Sequence, residues 1–107
     1  MTTFDNRENA FENKFARDEE LRFKATARRN RLLGQWAAAK LGLSGAAADE
    51  YAQAVVKADF DEPGDEDVVR KLTADFAAAG LDLSEHQIRR EMNELMATAV
   101  TQIEQAR

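Results

Sequence analysis

Three breaks divide this chain, and they constrain its fold more than any other feature. Pro63 is the sole proline. Lacking a backbone N–H and with φ fixed, it forms a turn with Gly64 that ends a helix. Gly42 and Gly80 each follow a stretch of helical apolar spacing and precede a leucine, Leu43 and Leu81. A glycine in that place supplies the left-handed residue on which helices commonly end. The segments between the breaks are rich in alanine and poor in β-branched residues, and their apolar residues follow the helical period. The expectation is an all-α chain of four helices.

The first helix has Leu21, Ala25, Leu32, Trp36 and Ala39 on its apolar face. It should stop at Leu41, with Gly42 as cap and Leu43 folding back in a Schellman contact. The second starts after Ser44 as N-cap and buries Tyr51, Ala52, Val55, Val56 and Phe60. Asp65, Glu66 and Asp67 open the third, where the helix dipole favours negative charge. Its stripe is Val68, Val69, Leu72, Phe76 and Ala79, capped by Gly80. Ser84 and Gln87 make a capping box for the fourth, which turns Ile88, Met92, Leu95, Met96, Ala99 and Ile103 inward. Short connectors predict an antiparallel-leaning four-helix bundle over residues 19–107. It is preceded by a mobile N-terminal segment, residues 1–18, with the boundary near Asp18–Glu20.

That segment is unlike the rest. Residues 3–16 hold three of the six phenylalanines and no aliphatic residue larger than alanine. At about 100° per residue, Phe4, Phe11 and Phe15 fall within roughly 40° of one another. They lie about 70° from the expected core face on the same projection, so they do not extend it. Burying three phenylalanines is worth about 1.5–3 kcal/mol each, against about 1–2 kcal/mol per ordered backbone residue. The free segment is therefore expected to fold only when a partner supplies a groove. The rival reading packs the stripe back onto the chain's own bundle.

Composition excludes several classes. A chain of 107 residues is one domain. No stretch approaches a membrane span or a secretory signal, so a cytoplasmic protein without direct membrane insertion is expected. With no cysteine, thiolate chemistry is absent. A net charge of −5 and a pI near 4.9 speak against nucleic acid as partner. The lone histidine, His86, has no second histidine or cysteine to share a metal with. The acids between Asp59 and Asp67 lack the register of a calcium loop and read as solvated helix ends. No phosphate loop or nucleophile motif is present. Neither an enzyme nor a metal centre is expected, and a chain with so charged a surface should be a monomer when free.

Charge is unevenly spread. Residues 1–20 carry three basic against six acidic side chains, whereas residues 22–31 carry Arg22, Lys24, Arg28, Arg29 and Arg31 and no acid. The acidic balance of the segment makes it a poor membrane-surface helix. The basic band has several readings: a solvated helix face, partners for the acids at 59–67, or a surface for an acidic protein or for nucleotide phosphates. The alternative function that follows is a nucleotide- or anion-binding helical sensor. No cofactor is expected beyond the weak adenine-nucleotide binding that this alternative would bring.

The string F-D-x-R-E-x-A-F-E-x-K-F-A-x-D-E-E-L-R-F-K-A-x-A-R-R-N, from Phe4 to Asn30, resembles the ATPase inhibitor subunit zeta of alphaproteobacterial F-type ATP synthases. The resemblance continues through Leu32–Ala38, Lys40–Leu43, Gly64–Val68 and Ser84–Arg90. It implies a small four-helix regulatory protein whose N-terminal segment inhibits ATP hydrolysis. The partner would be the catalytic head of the synthase, with its alternating large subunits and central rotor shaft, on the cytoplasmic side of the inner membrane. Carried over, Phe4, Phe11 and Phe15 are the apolar anchors of insertion into a catalytic interface. Arg7, Glu8, Glu12 and Lys14 supply its polar contacts.

Overall fold

The computed structural model describes the backbone of residues 3–61 and 64–106 and the side chains of 19–60 and 64–106. Its helices are α1 (Thr3–Lys40), α2 (Gly45–Asp61), α3 (Glu66–Ala78) and α4 (Glu85–Gln105), with no strand among the described residues. The expected all-α bundle is what forms. The expected boundary near 18–20 falls inside α1, which is helical on both sides of it. The molecule measures 64 × 25 × 23 Å, and a 38-residue helix at about 1.5 Å per residue accounts for the long dimension. No helix among the described residues is long and apolar enough to cross a membrane.

The glycine stops work as their positions demand. Gly42, at φ 77°, follows α1. Leu43 N–H donates to the Ala38 carbonyl at 2.8 Å and Gly42 N–H to that of Ala39 at 3.1 Å. This is the Schellman pair, which satisfies carbonyls the helix leaves open. Gly80, at φ 75°, repeats it after α3: Leu81 N–H donates to Phe76 at 2.9 Å and Gly80 N–H to Ala77 at 3.0 Å. Ser84 and Gln87 form the capping box of α4, side chain to backbone in both directions. Ser44, expected to cap α2, makes no such bond among the described residues.

The core joins Leu33 and Ala37 of α1 to Val55 of α2, to Val68, Val69, Leu72 and Phe76 of α3, and to Ile88 and Met92 of α4. Trp36 meets Phe76 edge to face at 5.8 Å between ring centres. α1 packs along both α2 and α4, while α3 leans on α2 and α4. Tyr51 Oη donates to Asp75 Oδ2 at 2.7 Å, tying α2 to α3. Burial, then this bond, pushes the phenol well above the usual tyrosine range. Arg89 ties α4 to α3 through Glu66 at 2.8 Å.

Three expectations about faces need correction. The buried row of α1 is Ala25, Arg29, Leu33 and Ala37, flanked by Asn30, Gly34 and Ala38. Leu21, Leu32 and Trp36 are half-buried and Ala39 is exposed. The seam is turned from the expected face because Arg29, paired with one of the acids at 59–67, and Asn30 lie in it, whereas the expected face was built from apolar residues alone. On the corrected projection Phe4, Phe11 and Phe15 lie within roughly 40° of Leu33, so the offset argued for them disappears. Phe60 is 65% exposed, because the last turn of α2 runs past the end of the core. Ala79 is exposed because α3 ends at Ala78.

Gly34 sets how closely α1 and α2 approach. A Cβ there would stand 2.5 Å from the Ala52 Cα, a backbone atom that cannot rotate away. Gly34→Ala is therefore expected to lower the unfolding free energy by about 1–3 kcal/mol in chemical denaturation. This is the opposite of the usual gain from glycine to alanine inside a helix.

Candidate functional site

The N-terminal segment reaches the bundle through a single helix. Phe4, Arg7, Glu8, Phe11, Glu12, Lys14 and Phe15 all belong to α1, and their side chains lie outside the described residues. The first fully buried side chain among those described is Ala25. Helix residues 3–24 precede it, about 33 Å at about 1.5 Å per residue. The elements that position the candidate anchors are therefore α1 and whatever holds α1 in the bundle.

The basic band at 22–31 is divided by the helix rather than gathered into one surface. Lys24 pairs with Glu20 at 3.0 Å on the exposed face. Arg28 Nη1 donates to Gln102 Oε1 of α4 at 3.1 Å. Arg22 and Arg31 are exposed. Arg29 points the other way and is only 4% exposed. Its guanidinium forms a two-pronged pair with Asp65, Nη2 to Oδ1 at 2.7 Å and Nη1 to Oδ2 at 3.2 Å. Nε and Nη2 also donate to Asn30 Oδ1 at 3.2 and 2.9 Å. So the carboxylate expected to sit on the α3 dipole is turned to the buried cation. Asp65 keeps the N-cap place without a side-chain cap bond.

The same corner holds a second carboxylate. Burial pushes Asp59 above the usual aspartate range, an effect that Arg29 opposes and Asp65 reinforces. Folding is thus favoured below that raised pKa and weakened as pH rises through it. Asn30 Nδ2 is buried with no partner at hydrogen-bonding distance. It acts on Asp59 only as a loose lowering influence.

Beside this corner lies a surface that sequence reasoning missed. Phe23 of α1, 62% exposed, touches Phe60 of α2 edge to face with ring centres 6.0 Å apart. On one side of Phe60 is a cavity of about 330 Å³ between Phe23, Thr26, Asn30 and Asp59. On the other is one of about 460 Å³ lined by Arg31, Ala52, Gln53, Val56, Lys57 and Phe60. The available signal was Phe23 itself, a large apolar residue set between Arg22 and Lys24 and off the corrected seam.

Asp65→Ala would remove the carboxylate paired with the buried Arg29 charge and leave only the more distant Asp59 in the corner. Breaking a pair buried on both sides costs about 3–5 kcal/mol. The Asp65 side chain is 48% exposed, so a loss of about 2–3 kcal/mol is expected, read by urea denaturation. Arg29→Met, which removes the charge and keeps most of the packing, should lose less than Asp65→Ala.

Comparison with known proteins bears on this geometry. The family model for ATPase inhibitor subunit zeta matches residues 1–102. Among solved structures, a solution NMR structure is similar to this chain, with 45% identity and a TM-score of 0.71, covering 81% of this chain and 99% of that one. A comparison with curated proteins finds no match. With the whole of α1, α2 and α3 and nearly all of α4 inside the family match, this chain belongs to the ATPase inhibitor subunit zeta family.

Proposed function

We propose that this chain inhibits ATP hydrolysis by an F-type ATP synthase through residues 1–18, which insert into a catalytic interface of the soluble head near the rotor shaft. One observation carries the reading: the phenylalanine stripe lies on a polar stretch of α1, 10 to 21 residues ahead of Ala25, the first buried bundle residue. A helix in that arrangement carries its anchors beyond the end of the core that holds it. The bundle is the carrier and the segment is the effector. The protein works in the cytoplasm, bound to the synthase on the cytoplasmic side of the inner membrane, and performs no chemistry of its own.

Within the segment, Phe4, Phe11 and Phe15 would fill apolar pockets of the partner. Arg7, Glu8, Glu12 and Lys14 would set its register through charged contacts. Aromatic side chains enclosed at the centre of an interface typically dominate its binding energy. Insertion at a catalytic interface opposes the subunit motions that hydrolysis drives, so one bound copy stalls the rotor.

The test is ATP hydrolysis by the isolated head from the same organism, titrated with the full chain and with a form starting at Arg17. Circular dichroism is run on both to establish that the bundle is intact. Inhibition is expected from the full chain alone, and equal inhibition by both forms would remove the segment from its role. Phe11→Ala is expected to weaken inhibition by about 2–4 kcal/mol of binding, seen as a rise of at least tenfold in the half-inhibitory concentration. An unchanged value would show that Phe11 is not an anchor.

A further inference from the structure

We propose that the α1–α2 face around Phe60 is a second docking point on the same catalytic head, taking an acidic, apolar-sided segment of a head subunit. Its carboxylate would sit between Arg31 and Lys57, with an aliphatic or aromatic side chain in the cavity of about 460 Å³. This rests on the inhibitor reading and extends it to the bundle.

Three observations lead there. Phe23 and Phe60 are the exposed large hydrophobics among the described residues, and instead of being scattered they touch each other across two helices. Isolated exposed apolar residues are ordinary, whereas a joined patch beside a cavity marks a contact surface. The cavity floor is Ala52, Val56 and the Phe60 ring, so its occupant has an apolar body.

Charge gives the sign of the occupant. Lys24, Arg29, Arg70, Lys71, Arg89 and Arg90 each have a carboxylate partner within 4 Å. Arg22, Arg28, Arg31, Lys40 and Lys57 have none among the described residues, and of these Arg31 and Lys57 line the cavity, although the chain carries a net charge of −5. Two open cations on facing helices, at the rim of one apolar cavity, complement a carboxylate on an apolar segment. A free inorganic anion would satisfy the cations and leave the floor and the phenylalanine pair uncovered.

Position fits as well. Arg31 stands 16 residues beyond Phe15 on the same helix, about 24 Å along its axis. A head subunit holding the segment would therefore meet this face further out along α1. Two contacts joined by one helix raise each other's effective concentration, so modest contacts yield tight binding.

The experiment measures affinity of the full chain for the immobilised catalytic head, together with its half-inhibitory concentration. The variants are Arg31→Glu with Lys57→Glu, Arg31→Gln with Lys57→Gln, Phe60→Ala, and Arg90→Glu on α4 as control. Circular dichroism verifies the fold, and the Gln pair serves if the Glu pair does not fold. The charge variants and Phe60→Ala are expected to weaken binding about tenfold or more. Saturating protein should still inhibit fully, and Arg90→Glu should match the unaltered chain. Charge variants that bind as tightly as the unaltered chain overturn the proposal. So do charge variants that keep full affinity for the head while losing an ADP-induced shift in NMR spectra, since the cations then serve a small anion. If no form inhibits hydrolysis yet the charge variants still bind more weakly, the inhibitor reading fails and this docking surface stands.

Discussion

A guanidinium cannot shed its charge, so burying Arg29 in the seam of α1 commits the fold to placing a carboxylate beside it. Asp65 meets that demand, two residues after Pro63, and the pair pins the start of α3 to the middle of α1. Asp59 is thereby drawn into a partly buried corner, and Phe60 comes to rest against Phe23. On the other side of the crossing Gly34 lets Ala52 approach without a clash. One buried charge and one missing side chain together set how α1 and α2 meet. The remaining core, from Val55 to Met92, packs onto that frame.

This frame explains why a small bundle can carry a long helix. α1 contributes to contacts with both α2 and α4, and its C-terminal half is the wall against which the other helices lie. The N-terminal part of the same helix bears the phenylalanine stripe on a stretch of polar residues. A force on those residues would be transmitted through a continuous helix to a buried ion pair and a close helix crossing, not through a loop.

Much of the fold was legible because its stops are local. Gly42 and Gly80 specify the Schellman ends through their own conformation and the leucine that follows, and Ser84 with Gln87 specifies the start of α4 over one turn. Such features need no knowledge of the tertiary fold. The phase of α1 was not legible, since pairing with the acids at 59–67 was one of several readings of the basic band, and only the fold singles out Arg29 by bringing Asp65 to it from 36 positions away. Phe60 has the spacing of a core residue, and only the length of the core shows that it lies past the end. The candidate anchors were read from the stripe itself and named through the family string. Lys57 and Arg31 became a pair only once α1 and α2 were side by side.

The most direct measurement replaces one candidate anchor with a photoreactive side chain, Phe11→p-benzoylphenylalanine, in the full chain bound to the catalytic head. Irradiation and mass spectrometry then report what position 11 touches. The account predicts cross-links to the large subunits at a catalytic interface, and none from a control at Thr98, an exposed position on α4. A chain that remains bound and inhibitory while position 11 cross-links to nothing in the head would contradict it.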